Sequence, residues 1–144
     1  MRLSTRGRYA ARAMYDLAIQ RSNGPIPLRS ISARQEISEK YLEQLFLKLR
    51  RKGLVRSVRG PGGGYRLGRE PRNITLGAIL RAVEGPLTPV FCVDDPPRKA
   101  CKRAKACQMR KFWQGLGHRI LDCLDSQTLE DLCRQSGSKS ASRV

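Results

Sequence analysis

The sequence predicts a mainly α fold carrying one small β-hairpin, and three observations support this. Apolar residues recur at spacings of three and four through most of the chain. The period shifts to two on either side of a Gly- and Pro-rich turn at 60–64. A final apolar stripe within residues 107–125 is longer than a chain of 144 residues needs for its own core.

The elements follow in order. In residues 5–21, Ala10, Ala13, Met14, Leu17 and Ala18 share one helical stripe, with Arg6, Arg8 and Arg12 nearby. "SNGPIP" at 22–27 stops that helix. A short helix is expected over 28–35, "LRSISARQ", then a break at "EI" and a longer helix from Ser38. Ser38 suits the N-cap, Glu39 suits the positive end of the helix dipole, and Gly53 is a natural stop. Leu42, Leu45, Phe46 and Leu49 form its apolar stripe. Two short helices joined by a tight turn read as a helix-turn-helix. "LVRSVRGPGGGYRL" at 54–67 adds a basic hairpin, which makes the arrangement a winged helix-turn-helix. "NITLGAILRAVEG" supplies another amphipathic helix capped by Thr75.

Within 107–125, Met109, Phe112, Trp113, Leu116, Ile120, Cys123 and Leu124 lie on one arc, a seam fit for a homodimer. "TLEDL" begins with a capping box, Thr128 to Asp131, and starts a last short helix. Residues 135–144 are expected to be a disordered tail.

The formal charge is +17, and it is uneven. Residues 1–72 hold 17 basic and 5 acidic side chains, and the window 48–72 holds nine Lys or Arg against Glu70 alone. Such a field attracts a polyanion, and with the helix-turn-helix and basic wing it points to double-stranded DNA. On a recognition helix at 38–52 the side chains able to reach DNA are Ser38, Lys40, Tyr41, Glu43 and Gln44. Gln can read adenine, Glu can accept from cytosine N4, and Tyr and Lys can hold phosphates. Arg56, Arg59 and Arg66 on the hairpin can enter the minor groove or meet the backbone, with Gly62 and Gly63 among the glycines allowing close approach.

No stretch approaches the roughly 20 apolar residues that span a bilayer, and no signal peptide is visible, so a cytoplasmic protein without membrane association is expected. Nothing supports an enzyme. The one histidine, His118, lies opposite the apolar seam, and "GPGGGY" lacks the Lys-Ser/Thr and helix of a phosphate loop.

Cys92, Cys101 and Cys107 are separated by eight and five residues, and Pro96 and Pro97 exclude a continuous helix between them. Structural disulfides are not expected in the cytoplasm, and no C-x-x-C pair marks a closed zinc site. The spacing leaves open an iron–sulfur cluster needing a fourth ligand, another metal or thiol sensor, or no shared role. Cys123 and Cys133 read as buried small hydrophobes.

"MRLSTRGRYAARAMYDLA", "ISEKYLEQLFLKLRRKGLVRSVRGPGGGYRL" and "ITLGAILRAVEG" resemble the Rrf-two family of winged-helix repressors, from residue 1 to about 133. The cysteine triplet is similar to the family's cluster-binding branch, whereas "EGPLTPV" and "LDSQTLEDL" are similar to its cysteine-metabolism branch. The resemblance implies a homodimer joined by the long helix. It also implies an iron–sulfur cluster on Cys92, Cys101 and Cys107 that controls repression of cluster-assembly genes, [2Fe–2S] being favoured over [4Fe–4S]. The alternative it implies is a cysteine-metabolism repressor governed by thiol chemistry or by a cysteine-synthesis enzyme as partner. The chain then divides into a DNA-binding domain at 1–85, a cluster-binding loop at 86–106, and the dimerisation and terminal helices at 107–134.

One departure matters. The best-known cluster-binding pattern has a histidine three residues after the third cysteine, and here that position is Arg110, which cannot ligate. His118 is eleven residues beyond Cys107, roughly 16 Å along a common helix. Asp94 and Asp95 read as solvated turn residues. Glu43 is the expected fourth ligand, since a carboxylate on the recognition helix opposes phosphate and could couple cluster status to DNA reading.

Overall fold

The structure is a computed structural model describing residues 3–94 and 100–141. Helix α1 spans Thr5–Ile19, α2 Leu28–Gln35 and α3 Glu39–Arg51. Strands β1 (Val55–Val58) and β2 (Gly64–Leu67) form an antiparallel hairpin in which Val55 faces Leu67 and Val58 faces Gly64. Helix α4 is Leu76–Glu84, α5 Met109–Asp125 and α6 Leu129–Ala141. Short 3-10 turns occupy Arg21–Asn23, Pro71–Asn73 and Phe91–Val93. Among the described residues no helix is long and apolar enough to cross a membrane.

Local signals set the boundaries. The Ser38 side chain accepts the Tyr41 N–H at 3.2 Å and opens α3. Thr75 accepts the Ala78 N–H at 3.0 Å and opens α4. Gly53 stops α3 with φ 73°, which glycine adopts without strain. The turn between α2 and α3 places Glu36 at φ 55°, a left-handed conformation unusual for a residue with a side chain. The Ser32 hydroxyl steadies it by donating to the Ile37 carbonyl at 2.6 Å.

The core gathers the stripes of the first four helices. Met14, Leu17, Ile31, Leu42, Leu45, Phe46, Leu49, Ile74 and Ile79 are all buried, and Phe46 packs edge-on against Tyr65 of the wing, centroids 4.9 Å apart. Truncating such a buried aromatic costs about 3–5 kcal/mol. The wing is also held by the main chain: Ile26 and Tyr65 exchange N–H···O bonds of 2.9 and 2.8 Å. Gly64 permits this approach, because a Cβ there would run into the Ile26 carbonyl.

Leu129 of α6 is buried in this same core, with Leu132 and Cys133 packed against it. The boundary at 85 therefore divides the sequence but not the packing. Helix α6 also runs to Ala141, into the segment expected as a tail, because no proline interrupts it and its capping box starts it firmly. Helix α5 begins at Met109 rather than 107, and only Gly117 within it is buried.

Candidate nucleic-acid interface and cysteine loop

Two carboxylates, the buried Asp16 and the half-buried Glu84, fix the frame around the helix-turn-helix before any DNA is met. Asp16 on α1 is 4% exposed and receives Arg34 of α2 through a fork, Nε to Oδ2 at 2.9 Å and Nη2 to Oδ1 at 2.7 Å. Gln35 Nε2 adds a third donor at 3.0 Å. The hydrogen bond to Asp16 raises the Arg34 pKa further above its ordinary value. Glu84, at the end of α4, accepts from the N–H groups of Ser4 and Gly7 and from the Ser4 hydroxyl.

On this frame α3 turns its polar side outward. Ser38, Lys40, Glu43 and Gln44 are exposed, as a recognition surface requires. Tyr41 is half-buried, edge-on to Tyr9 at 5.9 Å, and Arg12 lies over the Tyr9 ring at 5.4 Å. On the wing Arg56, Arg59, Gly62 and Arg66 are exposed. Gly62 has open space around it, whereas a side chain at Gly63 would strike the Val58 and Gly60 carbonyls. The glycine at 63 is thus demanded by the turn itself.

Between α4 and α5, Cys92 sits in the 3-10 turn, Cys101 in the following segment and Cys107 just before α5; all three are half-buried thiols outside any disulfide. Three thiolates suit iron, and a fourth donor is needed to complete a cluster site. Among the described residues no group of three or more His, Cys, Asp or Glu side chains is placed to hold a metal ion, so the structure does not bring the triplet together with Glu43. Arg110 has a buried Nε without a hydrogen-bond partner among the described residues. Asp94 departs from expectation: it is 4% exposed, not solvated, and accepts the Thr88 hydroxyl, which pins the connection. Asp95, Pro96, Pro97 and Lys99 lie outside the described residues.

The α5 seam is open in the single chain. Met109 is 49% and Phe112 59% exposed, with Trp113 half-buried and edge-on to Phe112 at 5.1 Å. Cys123, read as buried, is exposed, because no described residue covers that arc of α5. Cys133 is half-buried, and burial pushes its thiol pKa up despite nearby Arg21. His118 is exposed, as expected. The sequence reading missed Asp16 and Glu84, whose partners lie 18 and 77–80 residues away.

A helix-turn-helix with an exposed polar recognition helix, a basic wing and a long uncovered helix defines a winged-helix DNA-binding regulator. Residues 3–135 match the family Rrf2, described as iron-dependent transcriptional regulator, and the chain belongs to that family. It is 46% identical over 132 residues to the HTH-type transcriptional regulator IscR of Pectobacterium atrosepticum, covering 92% of this chain and 79% of that protein. The Yersinia pestis protein of the same name is 45% identical over the same coverage. Among solved structures, CymR, the global cysteine regulator of B. subtilis, superposes with a TM-score of 0.78 at 40% identity, covering 94% of this chain and 98% of that one. T. potens IscR gives 0.76 at 41% identity, covering 94% and 88%. The chain is a dimeric, DNA-binding transcriptional regulator and not an enzyme.

Proposed function

We propose that this regulator represses cluster-assembly genes and that an iron–sulfur cluster on Cys92, Cys101 and Cys107 governs its DNA binding. The observation that carries this reading is the position of the three half-buried thiols. They lie along the connection between α4, packed on the DNA-binding core, and the uncovered helix α5. When bound, the cluster supplies sensitivity to iron supply and to oxidants. Names among the relatives and the iron-dependent family description support it.

Ser38, Lys40, Glu43 and Gln44 read the major groove, with Tyr41 close to the backbone, while Arg56, Arg59 and the glycines 62 and 63 bring the wing to the DNA. Glu43 is the fourth ligand, since Arg110 cannot donate. A carboxylate engaged there is unavailable to a cytosine amine, so one side chain answers to both partners. The α5 seam joins two copies.

The test is an anaerobic visible and circular-dichroism spectrum of the purified protein with iron and sulfide assays. About two irons and two sulfides per chain indicate [2Fe–2S], and about four of each indicate [4Fe–4S]. Protein that stays metal-free after reconstitution overturns the reading. The likeness to CymR would then favour a cysteine-metabolism repressor controlled by thiol chemistry or by a cysteine-synthesis enzyme.

A further inference from the structure

Arg56 of β1 and Arg66 of β2 are paired directly across the hairpin. Like charges at such a pair repel and destabilise it. Strand alternation puts both on the face opposite Ser57 and Tyr65. That inner face belongs to α3: Tyr65 packs on Phe46, and Ser57 Oγ accepts from Arg50 Nη1 at 3.4 Å. Neither Arg56 nor Arg66 makes an ion pair or side-chain hydrogen bond with a described residue.

Behind the hairpin lies a cleft of about 480 Å³ lined by Arg56, Arg66, Arg21, Arg69 and Glu70. The Arg66 guanidinium reaches back over the loop after α1, where a Cβ built at Gly24 would lie 3.9 Å from Nη2. Arg21 is steadied by donating to the Ala18 carbonyl at 2.6 Å, and Arg69 by donating to the Lys52 carbonyl at 3.3 Å. Among the described residues Glu70 is the single carboxylate lining the cleft, and it makes no ion pair with any of them.

We propose that this cleft is a phosphate-binding site, separate from the face of α3 that reads bases, in which the Arg56–Arg66 pair grips one phosphate group. Guanidinium forks match phosphate oxygens, and an anion between them turns their repulsion into attraction. The phosphate comes either from the DNA backbone flanking the operator or from a free phosphorylated small molecule. Only the first source rests on the DNA-binding reading.

The experiment compares the full-length wild type with Arg66→Gln, and with Arg56→Gln as a second variant. Thermal unfolding is measured in pyrophosphate and in chloride at matched ionic strength. Affinity is measured for duplexes sharing one selected core but carrying short or long flanks, across a salt series. A free ligand predicts that pyrophosphate raises the wild-type Tm and leaves both variants unmoved. A backbone phosphate predicts that long flanks tighten wild-type binding about tenfold. Both variants then lose that gain, with a salt slope shallower by about one. If the wild type responds neither to pyrophosphate nor to flank length while still binding the core duplex, the cleft is not a phosphate site. If no duplex binds but the pyrophosphate shift persists, the DNA reading fails and the cleft stands.

Discussion

Glu84 Oε1 accepts the backbone N–H groups of Ser4 and Gly7 at 3.1 and 3.0 Å, so the last turn of α4 caps the first turn of α1 from across the core. A carboxylate there also meets the positive end of the α1 dipole. Glu84→Ala is expected to cost about 1–2 kcal/mol, and Glu84→Gln, which keeps an acceptor but not the charge, less. Urea unfolding checks both. Gly7→Ala should destabilise as well, since its Cβ would lie 2.6 Å from Glu84 Oε1 and 3.1 Å from Leu80 Cδ2.

Arg34→Ala leaves Asp16 buried with Gln35 as its remaining side-chain donor. Arg34 is itself 39% exposed, which moderates the loss to about 2–3 kcal/mol, below that for a fully buried pair. Because this contact docks α2 on α1, duplex affinity should fall alongside stability. Unfolding curves and gel shifts on the same variant read both effects.

Asp131 and Thr128 cap α6 reciprocally, at 3.0 and 3.1 Å. The Thr128 N–H, and then its hydroxyl, hold the Asp131 carboxyl below the usual carboxylate range. A depressed folded pKa means the stabilisation is complete above the unfolded value, near 3.9, and disappears as pH falls through the folded one. Wild type and Asp131→Asn should therefore differ in Tm at pH 7 and converge as pH drops well below 4. A constant gap at every pH would contradict the cap.

Phe112 is 59% exposed in the single chain. Covered by a second copy, it becomes an aromatic anchor, and Phe112→Asp is expected to weaken dimerisation at least about 100-fold. Light scattering across a dilution series tests this. Thermal stability of the monomer should change little.

Glu43 is exposed on α3 and makes no packing contribution to the core. Glu43→Ala should leave unfolding unchanged and shorten the lifetime of the visible charge-transfer bands in air. Unchanged spectra and lifetime would remove Glu43 as the fourth ligand.

Much of this architecture was legible because its signals are local. Ser38 with Tyr41, Thr75 with Ala78 and Thr128 with Asp131 are each three residues apart, so the caps can be read directly. The wing followed from a change of period around its glycines. Asp16 and Glu84 stayed hidden because a lone carboxylate in a helix looks solvated until distant chain supplies its donors. Asp94 was misread for a different reason: its donor Thr88 is only six residues away, but the loop between them carries no period that would bring the two together. Cys123 failed differently: its apolar arc was seen, but no described residue of the chain covers it. The cysteine triplet is plain in sequence, whereas its fourth partner depends on how separate elements approach one another.

Helix α4 is nine residues long, about 13 Å, and it holds two different neighbours. Thr75 at its start and Arg81 in its last turn hold Asp125 of α5, and Leu76 and Ile74 exchange main-chain bonds of 2.8 and 2.9 Å with Gln127 and Leu129. At its finish Glu84 holds α1. The helix thus ties α5 to the first helix of the chain. Asp125 and the first turn of α1 are therefore separated by little more than two helical turns, joined through one short element that also packs against α3.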